Sequence, residues 1–333
     1  MSTALITGAS GLVGSHLVER LQSDGWRLRA LVRDRARAGW LASRGVDLAD
    51  GDTRDVESFV RAAQGMHYLF HCAAAITPRG GWEAYRAPNI DGTRHAVEAA
   101  SRAGARLLHL SSVAVYGPDG RFALAHGEGP QETRPLLNVP DAAWYARSKR
   151  DSEQLVMDAH REGRAWATAV RPCVIYGPRD RQFVPRAAAL LRLPLVPRIG
   201  AGNAVLAIVH ARSVAEVAVR AVTSDIAGGR AYNVTNDAPL TVREFCEAAQ
   251  EGLGRRARWL PVPGPLARGA MAGIGAVLRA LQVPGSALLN GHSLDFLLRD
   301  NPFSSARARA ELAWTSDVDP RAAVAEAFRA VAH

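Results

Sequence analysis

The stretch TGASGLVG, residues 7–14, decides the fold of this chain. Apolar residues 4–7 lead into it, and an amphipathic segment, residues 12–22, follows it. Glycines at such a junction let the backbone turn tightly, and the N-terminus of the following helix attracts a pyrophosphate. The spacing is GxxGxxG, whereas the common dinucleotide fingerprint has its first two glycines one residue closer. We predict a dinucleotide here, bound by Gly8, Ser10, Gly11, Leu12, Val13 and Gly14.

Beyond this turn, short apolar runs alternate with helical segments. The runs 28–32, 68–72, 106–110 and 167–170 are interleaved with segments such as 83–102 and 143–160. Strands and helices alternating at this spacing predict an α/β fold with a doubly wound parallel Rossmann sheet. After residue 178 prolines become frequent, which predicts a smaller C-terminal domain. We expect a dinucleotide-binding domain of residues 1–180 and 204–224, and a substrate-binding domain of residues 181–203 and 225–330.

Length and composition suit a soluble enzyme. The chain has 333 residues, of which 48% are hydrophobic, so disorder is not expected. Cys72, Cys173 and Cys246 lie far apart and match no metal-binding spacing, which predicts neither disulfides nor a metal site and fits the reducing cytoplasm.

Membrane and nucleic-acid partners are not expected. The N-terminus lacks a basic leader, and the apolar run 269–278 is too short to span a bilayer. The net charge of +9 comes from scattered arginines that alternate with acids, so we predict no nucleic-acid binding.

Lys149 is the only lysine among 41 basic side chains, and it follows Tyr145 by four residues. Arginine fills the remaining cationic positions, although its planar guanidinium differs chemically from a compact ammonium. Residues four apart share one face of a helix, so we predict that Lys149 and Tyr145 act together. A solvated lysine on a helix surface is the alternative.

The second predicted strand ends at Arg33-Asp34-Arg35-Ala36-Arg37. NAD-binding enzymes place an acid at this point to bind the ribose 2′-hydroxyl, whereas an arginine favours a 2′-phosphate. We therefore predict a preference for NADP from Arg33, with NAD as the alternative. The other interpretation is that Asp34 pairs with Arg35 or Arg37.

A series of motifs covers nearly the whole chain: TGASGLVG (7–14), GDTRD (51–55), FHCAA (70–74), NIDGT (89–93), SSVAVYG (111–117), YARSK (145–149), RPCVIYGP (171–178) and FSSARARAELAW (303–314). In these motifs the chain resembles an extended short-chain dehydrogenase/reductase, of the branch with hydroxysteroid dehydrogenases and dihydroflavonol reductases. It departs from the family at Ala313, where glycine is usual, and this departure affects a turn and not the chemistry.

The resemblance implies roles for individual residues. Asp52 would contact the adenine, Ala73 and Ala74 would line the cofactor, and Asn89 would hold the active-site backbone and a water. Alternatively, Asn89 bonds a helix carbonyl and the alanines are small residues at a crowded strand end. The remaining residues implied at the cofactor are Thr53, Tyr145, Lys149, Pro172 and Val174.

The implied chemistry moves a proton at Tyr145 while hydride moves at the nicotinamide. A phenol has an unperturbed pKa of about 10, too high for neutral operation. Lowering it by about three units takes roughly 4 kcal/mol, which a positive charge about 4 Å away supplies at an effective dielectric near 20. We expect Lys149 to lower the pKa of Tyr145 in this way and to bond the nicotinamide ribose.

Ser112 completes the predicted catalytic set of Ser112, Tyr145 and Lys149. The resemblance implies that it holds and polarises the substrate oxygen, and its distance from the Tyr116-Gly117 pair favours it over Ser111. A serine that only caps the following turn is the alternative.

The expected substrate is a largely apolar small molecule. Sugar-nucleotide members of the family grip a diphosphate with an asparagine and an arginine, whose positions here hold Val174 and Leu206. Apolar groups cannot offset the desolvation of a diphosphate. The apolar segments 260–266, 271–281 and 288–298 suit a pocket for an aromatic, steroid-like or acyl compound, with ordinary core helices as the alternative.

We therefore predict an NADP(H)-dependent oxidoreductase that interconverts a ketone or aldehyde and an alcohol. One alternative is a nucleotide-sugar epimerase or dehydratase. A second is a non-catalytic NADP-sensing regulator, although such proteins tend to lose the Tyr-x-x-x-Lys pair that this chain retains. The sequence leaves open the substrate, the direction of reaction and whether the protein is a homodimer.

Overall fold

Strands and helices alternate from the first residues of the chain. The computed structural model describes residues 1–76, 80–117, 131–133, 136, 139–236, 238–256, 258–267 and 291–332. The strands are Thr3–Thr7 (β1), Arg27–Val32 (β2), Asp47–Asp50 (β3), Tyr68–His71 (β4), Arg106–Leu110 (β5), Ala167–Pro172 (β6), Val174–Tyr176 (β7), Leu195–Ile199 (β8), Ile208–His210 (β9), Ala231–Val234 (β10) and Arg258–Val262 (β11).

The α-helices are Leu12–Ser23 (α1), Gly39–Ser43 (α2), Val56–Ala63 (α3), Glu83–Tyr85 (α4), Gly92–Ala103 (α5), Trp144–Arg161 (α6), Phe183–Leu191 (α7), Ala211–Thr223 (α8), Val242–Leu253 (α9), Gly291–Leu298 (α10), Ala306–Leu312 (α11) and Pro320–Arg329 (α12). Short 3₁₀ turns are Arg35–Ala38, Val113–Tyr116, Gln131–Thr133 and Asp225–Ala227.

Seven parallel strands form the central sheet, in the order β10-β6-β5-β4-β1-β2-β3. Helices α1 and α8 pack together, while α3, α5 and α6 bury side chains with Leu5, Leu69 and Leu107 of the sheet. The predicted doubly wound α/β fold is confirmed. The strand order reverses at β1, which lies between β2 and β4, and the carboxyl ends of strands at such a point form a ligand-binding crevice.

The chain divides into two compact units. Unit 1 is Met1–Cys173, Ala211–Thr235 and Phe303–Asp317, and unit 2 is Val174–His210, Asn236–Pro302 and Val318–His333. These boundaries differ from the predicted ones. Residues 225–235 lie in unit 1 because β10 pairs with β6, and 303–317 join them because α11 packs against β10. Residues 174–180 and 204–210 lie in unit 2 and not with the dinucleotide-binding residues, because β7 pairs with β9 there.

Unit 2 has its own core, formed around two small parallel pairs, β7 with β9 and β8 with β11. Aromatic side chains of α9 and α12, Phe245 and Phe328, meet at 5.6 Å between ring centroids. Thr241 and Glu244 form a capping box at the start of α9. Phe296 and Leu297 of α10 pack against this core, which favours the core-helix interpretation there. Residues 268–290, which include the predicted pocket segment 271–281 and the first three residues of segment 288–298, lie outside the described residues.

The predicted helix over 83–102 is interrupted. A π-helical turn, Arg86–Asp91, separates α4 from α5. Pro88 lies in this turn and has no N–H to donate to the helical ladder. The Thr93 hydroxyl donates to the Asn89 carbonyl at 2.6 Å and so satisfies an acceptor within the widened turn.

Ala313 ends α11 with a φ of 48°, in the left-handed region. Glycine adopts this conformation without the steric penalty of a Cβ atom, so the departure noted in the sequence does fall at a turn. None of the helices in the described part of the chain is both long and apolar enough to cross a membrane.

Candidate active site

The glycine turn after β1 packs tightly against the end of β4. Gly8 has a φ of 68°, and a Cβ atom there would lie 2.9 Å from the Ala73 nitrogen. A Cβ atom on Gly14 would lie 2.2 Å from the Gly8 carbonyl oxygen. The Thr7 hydroxyl oxygen accepts the Ala73 N–H at 3.3 Å. Side chains at these glycines would displace the backbone from the crevice, which explains the motif.

The N-terminus of α1 fits a pyrophosphate. Gly11 caps the helix without a side-chain hydrogen bond, and the first turn carries no acidic residue. The first backbone N–H groups of a helix lack intrahelical partners and carry partial positive charge. Ser10 and Gly11 are exposed and Leu12 is partly exposed, whereas the Val13 side chain is buried in the core, so only its backbone is offered to a ligand.

The end of β2 presents an exposed arginine. Asp34 caps the next turn by accepting the Ala36 N–H and pairs with Arg37 at 3.4 Å, while Arg35 binds Asp50 at 2.8 Å. The predicted pairing of Asp34 with a neighbouring arginine therefore occurs, but it does not engage Arg33. The charge of Arg33 instead contributes to lowering the pKa of Asp52, after the larger effect of the hydrogen bond from Arg54.

Asp52 and Thr53 follow β3. The Asp52 carboxylate accepts two hydrogen bonds from the Arg54 guanidinium, at 3.1 and 2.7 Å. The Thr53 carbonyl accepts from His95 Nδ1 at 2.8 Å, which ties this loop to α5. Both residues lie after the strand that borders β2, consistent with the adenosine side predicted for them.

The Ser112 hydroxyl is near enough to Tyr145 to oppose the rise in pKa that burial gives that phenol. Ser112 lies between β5 and the 3₁₀ turn Val113–Tyr116, which it also caps by accepting the Ala114 N–H at 3.2 Å. The alternative Ser111 is buried, and its hydroxyl has no hydrogen-bond partner among the described residues. The structure therefore brings Ser112, and not Ser111, to the tyrosine.

Lys149 lies one turn after Tyr145 and is only 4% exposed. Its ammonium group donates to the Leu110 carbonyl at 2.7 Å. Burial lowers the pKa of Lys149 to about 8, and the neighbouring Cys72 and Glu153 act in the opposite direction. The lysine is therefore a fixed interior group, and the alternative of a solvated surface lysine is wrong.

The expected electrostatic effect of Lys149 on Tyr145 is absent from this structure. Burial raises the pKa of Tyr145, the Ser112 hydroxyl opposes that rise, and Tyr85 adds to it. The Lys149 ammonium is directed to Leu110 and does not contribute. The expectation failed because it counted the charge and omitted the cost of removing the phenolate from water.

Asn89 holds two parts of the site together. Its side-chain oxygen accepts the Ala75 N–H at 2.7 Å, and its amide nitrogen donates to the Ala75 carbonyl at 2.9 Å. The same nitrogen donates to the Ser148 hydroxyl at 2.9 Å, and Ser148 donates to the Tyr145 carbonyl. Asn89 thus links the backbone after β4 to α6, as the resemblance implied for the backbone.

A buried ion pair supports the catalytic helix, and sequence reasoning missed it. Glu153, one turn after Lys149, accepts two hydrogen bonds from Arg171 Nε at 2.9 and 3.1 Å. Arg171 Nη1 also donates to the Tyr116 hydroxyl at 2.8 Å, which donates to Asn233 at 3.0 Å. Although burial opposes it, Glu153 holds the pKa of Arg171 above its ordinary value. The signal in the sequence is the acid four residues after Lys149.

Two histidines on neighbouring strands line the buried side of Lys149. His71 and His109 are paired across β4 and β5, and their rings stack at 5.8 Å. His71 Nδ1 bonds the Thr7 hydroxyl at 2.9 Å, and His109 Nε2 bonds the Ser152 hydroxyl at 3.3 Å. Burial, with a smaller contribution from Lys149, lowers the pKa of His71 to about 3, so the pair is neutral at physiological pH.

The remaining predicted residues are distributed over both units. Ala74 is partly buried after β4, and Pro172 is buried at the end of β6. Val174 begins β7 in unit 2, where it packs against the core that contains Leu206. Leu206 is 2% exposed, so its side chain serves that core.

Comparisons with known proteins identify the family and agree with the fold. The model of the NAD-dependent epimerase/dehydratase family matches residues 4–235. The chain is 30% identical over 315 residues to the 4-hydroxy-2-methyl-3-oxo-4-farnesyl-3,4-dihydroquinoline-1-oxide ketoreductase of Stigmatella aurantiaca, covering 94% of this chain and 92% of that protein. It is 33% identical over 269 residues to the ceramide reductase of Caulobacter vibrioides, covering 80% and 76%. The solved structure of gox2253 superimposes with a TM-score of 0.74 at 26% identity and covers 98% of this chain and 97% of its own.

Proposed function

This chain belongs to the NAD-dependent epimerase/dehydratase family, and from that premise we propose that it interconverts a ketone or aldehyde and an alcohol on a largely apolar small molecule, with NADP(H) as cofactor. The observation that carries the proposal is that Ser112 and Tyr145 lie together, with Lys149 fixed one turn further along α6. These three residues are the proposed catalytic set.

The raised pKa of Tyr145 suits a proton donor. A phenol that keeps its proton at neutral pH can pass it to the oxygen of a carbonyl as that oxygen gains negative charge. Ser112 would donate a hydrogen bond to the same oxygen and orient the carbonyl. The bound cofactor supplies the hydride that reaches the carbonyl carbon.

Lys149 would hydrogen-bond the nicotinamide ribose and so hold the cofactor beside Tyr145. Its position is fixed by the Leu110 carbonyl, and with a pKa of about 8 it is largely charged at neutral pH. An ammonium group has three N–H donors, so the bond to Leu110 leaves donors for the ribose. Arginine has the same charge but a planar fork that is too large for a slot built around one ammonium.

Unit 1 would bind the cofactor. The uncapped N-terminus of α1 would hold the pyrophosphate, and Ala73, which packs against Gly8, would border it. Arg33 supports NADP over NAD because it is exposed at the end of β2 and the neighbouring Asp34 is already paired with Arg37. The other proposed cofactor contacts are Ser10, Gly11, Leu12, Val13, Gly14, Asp52, Thr53, Ala74, Pro172 and Val174.

A ketoreductase and a ceramide reductase among the relatives support a carbonyl or alcohol substrate. We propose that unit 2 contributes to substrate binding, and that the protein works in the cytoplasm. No observation in the described residues favours the sugar-nucleotide or sensor alternatives over carbonyl reduction.

The test is NADPH and NADH consumption with a panel of aromatic, steroid and acyl ketones. Tyr145→Phe removes the proposed proton donor and is expected to lower turnover by about 10²- to 10⁴-fold. Tyr68→Phe, at the amino end of β4, is the matched control and should retain activity. Wild-type activity in Tyr145→Phe would overturn the proposal, as would tight NADP binding without turnover of any ketone.

A further inference from the structure

Three aromatic side chains lie at the start of α6 and at α4 and have no role in the proposed chemistry. Trp144 is the first residue of α6, immediately before Tyr145, and is 41% exposed. Tyr85, at the end of α4, lies against it with 6.3 Å between ring centroids and 57° between ring planes. Trp82 precedes α4 by one residue. We call Trp82, Tyr85 and Trp144 the aromatic face.

The rings of the aromatic face are held in place from α6. The Arg147 guanidinium lies 4.4 Å from the centroid of the Trp82 ring. Arg147 follows Trp144 by three residues, so one turn of α6 contacts both Trp82 and Tyr85. Asp141 and Asp151 pair with Arg147 at 3.3 and 3.8 Å and fix its position further.

Tyr85 connects the aromatic face to the catalytic centre. It is partly buried, and its phenol is close enough to Tyr145 to affect that residue's pKa. In the described part of the chain, the Tyr85 hydroxyl has no hydrogen-bond partner that would explain its position. The ring is therefore ordered by stacking beside the point at which the proposed reaction occurs.

The aromatic face is suited to a flat apolar ligand. Aromatic rings bind other π-systems in offset or edge-to-face arrangements with centroids about 4.5–7 Å apart. A saturated ring of equal size buries similar apolar area but lacks the quadrupole that makes these arrangements favourable. A ligand whose carbonyl is at Tyr145 would place its adjoining atoms near Tyr85, and the Trp144 ring lies against Tyr85.

We propose that Tyr85 and Trp144 are specificity-determining residues that bind the planar, ring-bearing part of the substrate and favour aromatic or conjugated ketones over saturated ones. This inference rests on the proposed function. It narrows the substrate class from apolar carbonyl compounds in general to those with a π-system next to the reacting carbon.

The test compares two ketones of similar size, acetophenone and cyclohexyl methyl ketone, with NADPH. The measured quantity is the ratio of their kcat/KM values, which does not depend on the fraction of folded enzyme. Wild type is expected to favour acetophenone. Trp144→Leu and, separately, Tyr85→Leu are expected to lower the ratio roughly three- to ten-fold, the size of one aromatic contact.

The matched control is Trp26→Leu. Trp26 also forms an aromatic pair, with Tyr68 at 4.7 Å between centroids. It precedes β2 and so lies at the amino ends of the parallel strands, away from their carboxyl ends, where the ligand-binding crevice forms. This variant should keep the wild-type ratio. A wild type that reduces both ketones without preference, or a ratio unchanged in both aromatic-face variants, would overturn the inference and leave the proposed function standing. If wild type reduces neither ketone but does reduce another ketone of the panel, the inference fails and the proposed function stands; no turnover of any ketone would overturn both.

Discussion

Replacing Lys149 with methionine is expected to change how the free energy of unfolding depends on pH. No other lysine titrates in the same pH range, because the chain has only this one. Lys149 is the only lysine in the chain and is 4% exposed. Methionine has similar length and no charge, so the variant removes one titration and keeps most of the buried volume. The hydrogen bond to the Leu110 carbonyl is also lost, but that loss adds a nearly constant offset at every pH.

The magnitude follows from the pKa of Lys149, which burial lowers from an ordinary 10.5 to about 8. The unfolded chain binds this proton more tightly than the folded one, so the charged form costs the folded state about 3 kcal/mol at pH 7. The cost falls as pH rises from 8 to 10.5, because over this range the folded chain has given up the proton of Lys149 and the unfolded chain still holds it. It is about 2 kcal/mol at pH 9 and about 1 kcal/mol at pH 10.

The assay is urea unfolding of wild type and Lys149→Met at pH 7, 8, 9 and 10, followed by the fluorescence of the seven tryptophans. Relative to the variant, wild type is expected to gain about 2 kcal/mol in free energy of unfolding between pH 7 and pH 10. Arg147→Met, on the exposed side of the same helix, is the control and should show a flat difference because arginine does not titrate in this range. A difference for Lys149→Met that changes by less than about 0.5 kcal/mol would refute the reasoning.

Three further results are expected. Arg33→Ala should lower the ratio of NADP affinity to NAD affinity roughly ten-fold or more, since a charge-assisted contact to the 2′-phosphate is lost. The control is Arg37→Ala, because Arg37 is already ion-paired with Asp34. Isothermal titration measures both affinities, and an unchanged ratio in Arg33→Ala would contradict the assignment. In urea unfolding, Arg171→Met should lower the free energy of unfolding by about 3–5 kcal/mol because Glu153 stays buried without its partner. Adding Glu153→Leu should recover most of the lost free energy. A double variant as unstable as Arg171→Met alone would argue against this account. Ala313→Gly should raise the free energy of unfolding by about 0.5–1 kcal/mol because of the left-handed backbone there, and destabilisation would show that reasoning to be wrong.

Local patterns in the sequence predicted the parallel sheet. The glycine turn, the alternating runs and the Tyr145–Lys149 spacing depend on contacts between near neighbours, and such contacts are visible in a single chain. The strand β10 was missed as part of unit 1 because its pairing with β6 joins residues about sixty positions apart. Hydrophobic periodicity carries no information about which distant strand completes a sheet.

Electrostatic properties of the site were harder to predict. The sequence places a cation near Tyr145 but does not give the degree of burial, and burial decides the direction of the pKa change. The partnership of Glu153 with Arg171 likewise depends on how α6 lies against β6. The sequence did not predict the aromatic face, because Trp82 and Tyr85 belong to a separate segment that contacts α6 only in the folded chain.

The enclosure of Lys149 has a consequence for chemical labelling. Amine-directed reagents such as activated esters react with lysine side chains and the α-amino group, so this protein has very few targets for them. In the folded state the ε-amino group is held against the Leu110 carbonyl and shielded from solvent, so a reagent reaches it only when this part of the chain opens. The rate at which this one side chain is acylated therefore reports local opening of α6. Intact-mass measurement follows that acylation without any engineered probe.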